Sequence, residues 1–198
     1  MKKKKIIYLI LALSFIISAP GLLSCETDGY NESIERTAFT PASKAYEIML
    51  NPEEWIDTEF SRHPNQLQIL NSGGAGLLTV DRYTKNSLSD MGISGFDNFI
   101  EFYKTQETAK NIYENPLITK TGDFKDVEKK HMKNSDVTAG KRQTLQLKSG
   151  DGLDITVEVI YLETEKNFLA MSYNSISKDF SKAQKIVNDA VAHLVMIK

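Results

Sequence analysis

The sequence predicts an α+β fold, an antiparallel β-sheet packed against helices. Three observations carry that expectation. Lys141–Glu163 reads as a long hairpin, with Phe168–Tyr173 as a third strand joined by a short turn. Phe96, Phe99, Ile100, Tyr103 and Ile112 recur near helical spacing. A second apolar stripe runs through Phe180, Ala183, Val187, Ala190, Val191 and Leu194, supported by Ile186. Strands read at period two and helices at 3.6, so these stretches are separable by pattern alone.

The hairpin can be taken to single-residue register. With Gly150-Asp151-Gly152 as the loop, Ser149 opposes Leu153. Leu147 then faces Ile155, Leu145 faces Val157 and Gln143 faces Val159. On the other side Lys148 meets Asp154, Gln146 meets Thr156 and Thr144 meets Glu158. A slip of one residue would set Leu147 against polar partners. The three-residue loop also puts Gly152 where a left-handed backbone is wanted.

The remaining elements follow in chain order. Thr40–Asn51 is ambiguous. Thr40-Pro41 suits a helix start, with Ala42, Ala45 and Met49 on one side, while Tyr46, Ile48 and Leu50 alternate as a strand. Asn51-Pro52-Glu53-Glu54-Trp55 is a turn ending on the only tryptophan, expected in the core or as a lid. Leu67–Leu70 and Leu77–Tyr83 are strands joined by Ser72-Gly73-Gly74-Ala75-Gly76. That glycine-rich turn lacks the lysine and following helix of a phosphate-binding loop, so it is a hairpin loop. Asn86–Gly95 is loop, Phe96–Tyr113 one helix capped by Ser94 or Asp97, and Leu117–Val137 a strand plus polar loop. The closing helix begins near Asp179, with Ser177 or Asp179 as its cap, and should lie across the sheet.

The N-terminus sets the compartment. Lys2–Lys5 precede an apolar run, Ile6–Ile17, which Ser18-Ala19-Pro20-Gly21 breaks before Leu22-Leu23-Ser24-Cys25. The run suits a secretory core segment and is shorter than the ~20 residues a spanning helix needs. This stretch resembles a bacterial lipoprotein signal peptide, with Leu22–Cys25 as its lipobox. The resemblance implies cleavage before Cys25, lipid on Cys25, and a cell-envelope location on the periplasmic or extracellular side. The expected organisation is residues 1–24 as leader, 25–39 as an acidic tether, and 40–198 as a single globular domain. The acidic residues Glu26, Asp28, Glu32 and Glu35 would keep the tether extended.

Charge narrows the function. The 198-residue chain carries 24 basic and 26 acidic side chains, a formal charge of −2. Losing the four leader lysines leaves 20 against 26, or −6. A mildly acidic domain does not offer the basic footprint that nucleic acid requires. Lys120–Lys148 is locally basic, eight Lys/Arg against four acids. It is a solvated lysine-rich loop or, less simply, a docking face. With Cys25 lipidated, neither a disulfide nor a cysteine-bound metal is available.

Motifs of chemistry are sparse. Among His63, His131 and His193, only His193 falls on an expected helix with a carboxylate four residues away, Asp189, and that pair is expected to be solvated. Gly150-Asp151-Gly152-Leu153-Asp154 lacks the ligand spacing of a calcium loop. No Gly-x-Ser-x-Gly elbow or His-Glu-x-x-His motif occurs. No cofactor, metal or catalytic residue is expected.

The order of elements is similar to the PsbP family, the extrinsic subunit of photosystem II and its relatives, whose fold is shared with a Ran-binding nuclear transport factor. The matching pieces are Ala45–Leu50 leading through Asn51-Pro52-Glu53-Glu54-Trp55, the mid-chain helix, Lys166–Tyr173 and the helix Phe180–Leu194. The Ser-Phe closing strand of many members is missing. The resemblance implies a non-catalytic interaction or assembly role with an envelope protein partner, and hands over no binding residue. Two alternatives stand beside it: a binder of a small ligand in a pocket near Trp55, and a hydrolase with a dispersed site.

Overall fold

The computed structural model describes residues 35–58, 61–71, 76–132, 135–149, 151–176 and 180–197. Cys25, its lipobox, Ser72–Ala75, Gly150 and the expected caps Ser177 and Asp179 lie outside the described residues. Glu35–Lys198 forms one compact unit.

Two antiparallel sheets build it. The small one orders β1 (Thr37–Phe39), β2 (Tyr46–Leu50) and β11 (Leu194–Met196) as β1-β2-β11. In the large one, β3 (Trp55–Asp57), β4 (Gln66–Asn71), β5 (Gly76–Thr84), β6 (Ile118–Thr121), β8 (Val137–Lys148), β9 (Asp154–Thr164) and β10 (Asn167–Ser175) run β3-β4-β5-β10-β9-β8-β6, and β7 (Lys125–Asp126) also pairs with β8. Four helices are described: α1 (Lys85–Asp90), α2 (Phe96–Thr105), α3 (Glu107–Tyr113) and α4 (Phe180–Ala192).

The large sheet is covered on both faces, so its central strands are apolar at successive positions rather than alternately. Leu169, Met171 and Tyr173 of β10 share one core with Ile160 and Leu162, the small sheet's Tyr46, Ile48 and Leu50, and Val187, Ala190 and Val191 of α4. Phe168 and Ala170, the intervening residues, join Val157, Val159 and Tyr161 under Phe99, Ile100 and Tyr103 of α2 and Ala109 of α3. The hairpin register is the expected one at every pair from Lys148↔Asp154 to Gln143↔Val159. Gly152 sits at φ +85°, and the Ser149 amide donates to the Leu153 carbonyl at 2.9 Å.

The ambiguous Thr40–Asn51 stretch is strand. Tyr46, Ile48 and Leu50 are fully buried, and β2 pairs on both sides. Pro41 opens a turn that Lys44 closes at φ 51°. Thr37–Phe39, the end of the stretch expected as tether, pairs with it as β1.

Three elements differ from expectation. The mid-chain helix is two helices, because Gln106 is extended (φ −73°, ψ 151°) and donates its amide to Tyr103. Thr105 also donates its hydroxyl to the Phe102 carbonyl at 2.7 Å, satisfying a carbonyl the broken helix leaves unpaired. The expected loop 86–95 begins with α1, capped by Thr84, whose hydroxyl accepts from Ser87 N at 3.2 Å while Leu88 is buried. The last helix stops at Ala192, where His193 Nδ1 donates to the Asp189 carbonyl at 2.9 Å. Leu194 is therefore not a helix residue; it begins a short strand, β11, that pairs with β2 and is not a Ser-Phe strand.

Candidate functional site

The expected site residues do not converge. Trp55 is 4% exposed and packs edge-on against Tyr173, ring centroids 6.3 Å apart, so it is a core residue. Two open depressions among the described residues lie elsewhere. One of about 320 Å³ is bordered by Lys85, Ile93, Glu163 and Phe168. The other, about 300 Å³, is bordered by Asp97, Glu101, Phe124 and Lys141.

The histidines are separated, each on its own partner. His193 and Asp189 are half-buried rather than solvated, because Arg36 reaches back to clamp Asp189 with two bonds of 3.0 and 3.1 Å. Arg36 also donates to the Met49 carbonyl, tying the stretch before β1 to α4 and β2. Among the described residues no three His, Cys, Asp or Glu side chains could share a metal. Within the basic stretch, Lys130 pairs with Glu128 at 2.8 Å, Lys141 with Asp97 at 2.6 Å, and Arg142 with Glu158. Much of its charge is thus answered locally.

Two polar networks escaped the sequence reading. In the first, Asp81 of β5 is 1% exposed and accepts from three side chains. Gln66 Nε2 donates to Oδ1 at 2.8 Å, His63 Nε2 to the same oxygen at 3.1 Å, and Tyr103 of α2 donates its hydroxyl to Oδ2 at 2.8 Å. Charge-accepting bonds of this kind offset the cost of burying a carboxylate. Burial, with Asp81 beside it, raises the Tyr103 hydroxyl far above its ordinary range, so Tyr103 remains a donor. The half-exposed His63 is held by Nε2 and turns Nδ1 away from the carboxylate.

The second network lies on the opposite face. Arg142 of β8 donates from Nε to Glu158 Oε1 at 2.6 Å and from Nη1 to Asn188 Oδ1 at 2.8 Å. Asn188 of α4 lies 3.2 Å from His131 Nε2. Burial raises Glu158 above its usual carboxylate range, and Arg142 partly offsets that.

A partly exposed apolar row lies at one corner of the large sheet. The register aligns Ile56 with Leu70, Leu70 with Leu77, and Leu77 with Asn174. These side chains point to the face that α2 and α3 cover, since Trp55, Ile69 and Leu78 point to the other. The next residue in the row, Val157, lies in the core under the helices. Toward the β3 edge that cover ends. Ile56 is 54% exposed, and Leu70, Leu77 and Asn174 are half-buried. Gln68 and Thr79, opposite one another in the adjacent row, give it a polar border. No described helix is long and apolar enough to cross a membrane.

No protein-family model and no curated protein matches the sequence. Solved structures follow a similar course. A protein of Bacteroides thetaiotaomicron is 10% identical with a TM-score of 0.49, over 83% of this chain and 50% of that one, so this chain spans half its length. LpqN of Mycobacterium tuberculosis, described as involved in cell envelope biogenesis, is 13% identical with a TM-score of 0.48, over 85% of this chain and 88% of that one. The PsbP protein of Synechocystis is 15% identical with a TM-score of 0.46, over 89% of this chain and 99% of that one.

Proposed function

We propose that this chain is an envelope lipoprotein, anchored through lipid on Cys25, whose domain is a non-catalytic module that binds a protein partner at the Ile56–Leu70–Leu77 corner. The observation that carries the binding role is that aligned apolar row, left uncovered where the helices end. An apolar centre with a polar border is the general anatomy of a protein–protein interface. The basic leader, short apolar run and Leu22-Leu23-Ser24-Cys25 support the anchor.

The test uses the full-length chain in its own envelope. A photo-reactive residue is placed at Leu70, at Leu77 or, as a control, at the exposed Glu114. One discrete adduct from both corner positions, absent from Glu114 and lost when Ile56 is changed to Asp, is the expected result. Adducts of the same pattern from all three positions would overturn the proposal, as would none from the corner.

A further inference from the structure

The Arg142–Asn188–His131 chain fixes which nitrogen of His131 carries its proton. Arginine can only donate, so the Asn188 atom facing Arg142 Nη1 at 2.8 Å must be the oxygen. The Asn188 amide nitrogen therefore faces His131 Nε2 at 3.2 Å and donates to it. Nε2 is the accepting, unprotonated nitrogen, and the ring proton sits on Nδ1, which is buried without a partner among the described residues. A second proton could go only onto Nε2, where it would confront the hydrogens of the Asn188 amide.

We infer that this bond is an acid-sensitive latch, in which protonation of His131 releases the turn Lys129–His131 and the segment after it from α4. Two features define what is released. The turn and α4 meet through His131 and Asn188. Five residues on, the Asp136 carboxylate accepts from Met196 N at 2.7 Å, and its amide reaches the Leu194 carbonyl at 3.4 Å. β11, which also pairs with β2, is thus held in part by Asp136, five residues beyond His131 in the chain. The charges around His131 are Lys130 and Glu128 from its own turn and Arg142 from β8. Asn188 faces it from α4 as a neutral group, while Asp189 on the same helix is occupied by Arg36 and His193. Glu158, behind Arg142, balances the guanidinium rather than His131. Burial first, then Lys130, holds His131 below its ordinary value, with Glu128 opposing. A lowered histidine stabilises the fold above the unfolded value of 6.5, and that stability is lost as pH falls through the folded value. The device lies on the sheet face opposite the proposed partner surface and does not depend on it.

Amide hydrogen exchange on the full chain, corrected for the intrinsic effect of pH, tests the latch. Between pH 7 and pH 5 the protection of residues 129–132, 135–136 and 194–196 should fall about tenfold relative to β9 and β10. In His131→Gln, whose side-chain oxygen can accept from Asn188 but does not titrate in this range, protection should hold at both pH values. An equal loss in His131→Gln, or no loss in the native chain, would overturn the inference. Should the variant not fold, nitrogen chemical shifts of His131 in the native chain decide alone. A proton on Nδ1 at pH 7 is expected, and a proton on Nε2 refutes the mechanism.

Discussion

The Tyr103 hydroxyl donates to the Asp81 carboxylate at 2.8 Å inside the fold, joining α2 to β5 by a bond to a charged acceptor. Tyr113, one helix on, shares a hydrogen bond of 2.9 Å with Tyr161, both hydroxyls neutral. Bonds to charged groups contribute about 1.5–3 kcal/mol and neutral pairs about 0.5–1.5 kcal/mol. Tyr103→Phe should therefore lower the urea midpoint more than Tyr113→Phe. Equal costs would mean that Asp81 is already satisfied by Gln66 and His63.

Arg142→Met is expected to cost about 3–5 kcal/mol at pH 7, since it leaves Glu158 buried without its counter-charge. The pH dependence has a distinctive sign. Burial already raises Glu158, and removing Arg142 takes away what opposes that rise. A carboxyl with a raised folded value favours the fold fully below its unfolded value of 4.5, and that contribution is lost as pH rises through the folded value. The gap between variant and native chain should thus narrow from pH 7 toward pH 5 in urea unfolding. A gap that widens in acid would contradict a charged Glu158. Adding Glu158→Leu to Arg142→Met should recover most of the loss at pH 7.

The fold was legible wherever one face had to be apolar. The register of β8 and β9 follows from Leu145, Leu147, Val157 and Val159 together with Gly152, and the structure has those pairs. What depends on where helices land was not legible. Leu70 and Leu77 bound two strands legible in the sequence, but their half-exposure depends on how far α2 and α3 reach. The helix break at Gln106 hid because Ile112 returns to the same spacing beyond it. The networks hid because their members are far apart in sequence: Asp81 is 22 residues from Tyr103, and His131 is 57 from Asn188. One signal was present. The expected register sets Arg142 opposite Ile160 in the apolar centre of β9, a place where a charge needs a partner.

Two glycine substitutions should destabilise for different reasons. At Gly152 nothing lies within 4 Å of an added Cβ, but φ is +85°. Gly152→Ala should cost about 1–2 kcal/mol from backbone strain alone. At Gly76 the added carbon would run into the Tyr173 ring and lie 2.8 Å from the Asn174 carbonyl oxygen. Overpacking of this kind costs about 1–3 kcal/mol. Adding Tyr173→Leu should relieve part of the Gly76→Ala penalty, since the clash with the backbone oxygen remains, and none of the Gly152→Ala penalty. Chemical denaturation of the single and double variants reads this coupling, and its absence would show that the Gly76 clash lies wholly with the backbone.

Lipid attachment should rest on Cys25 alone. A single acyl chain binds a bilayer only marginally, whereas two or more signals hold it stably, and the three chains of a typical bacterial lipoprotein exceed that threshold. Cys25→Ser removes the thiol proposed to take the lipid and leaves the apolar run Ile6–Ile17 unchanged. The variant should lose incorporation of labelled fatty acid and retain residues 1–24. Its domain should melt as the native one does, because Glu35–Lys198 is a compact unit by itself. Fatty-acid labelling, mass of the product and thermal melting separate the outcomes. Labelling that persists in Cys25→Ser would place the anchor elsewhere, and a native product still carrying Met1–Ser24 would mean that the leader is an uncleaved membrane segment.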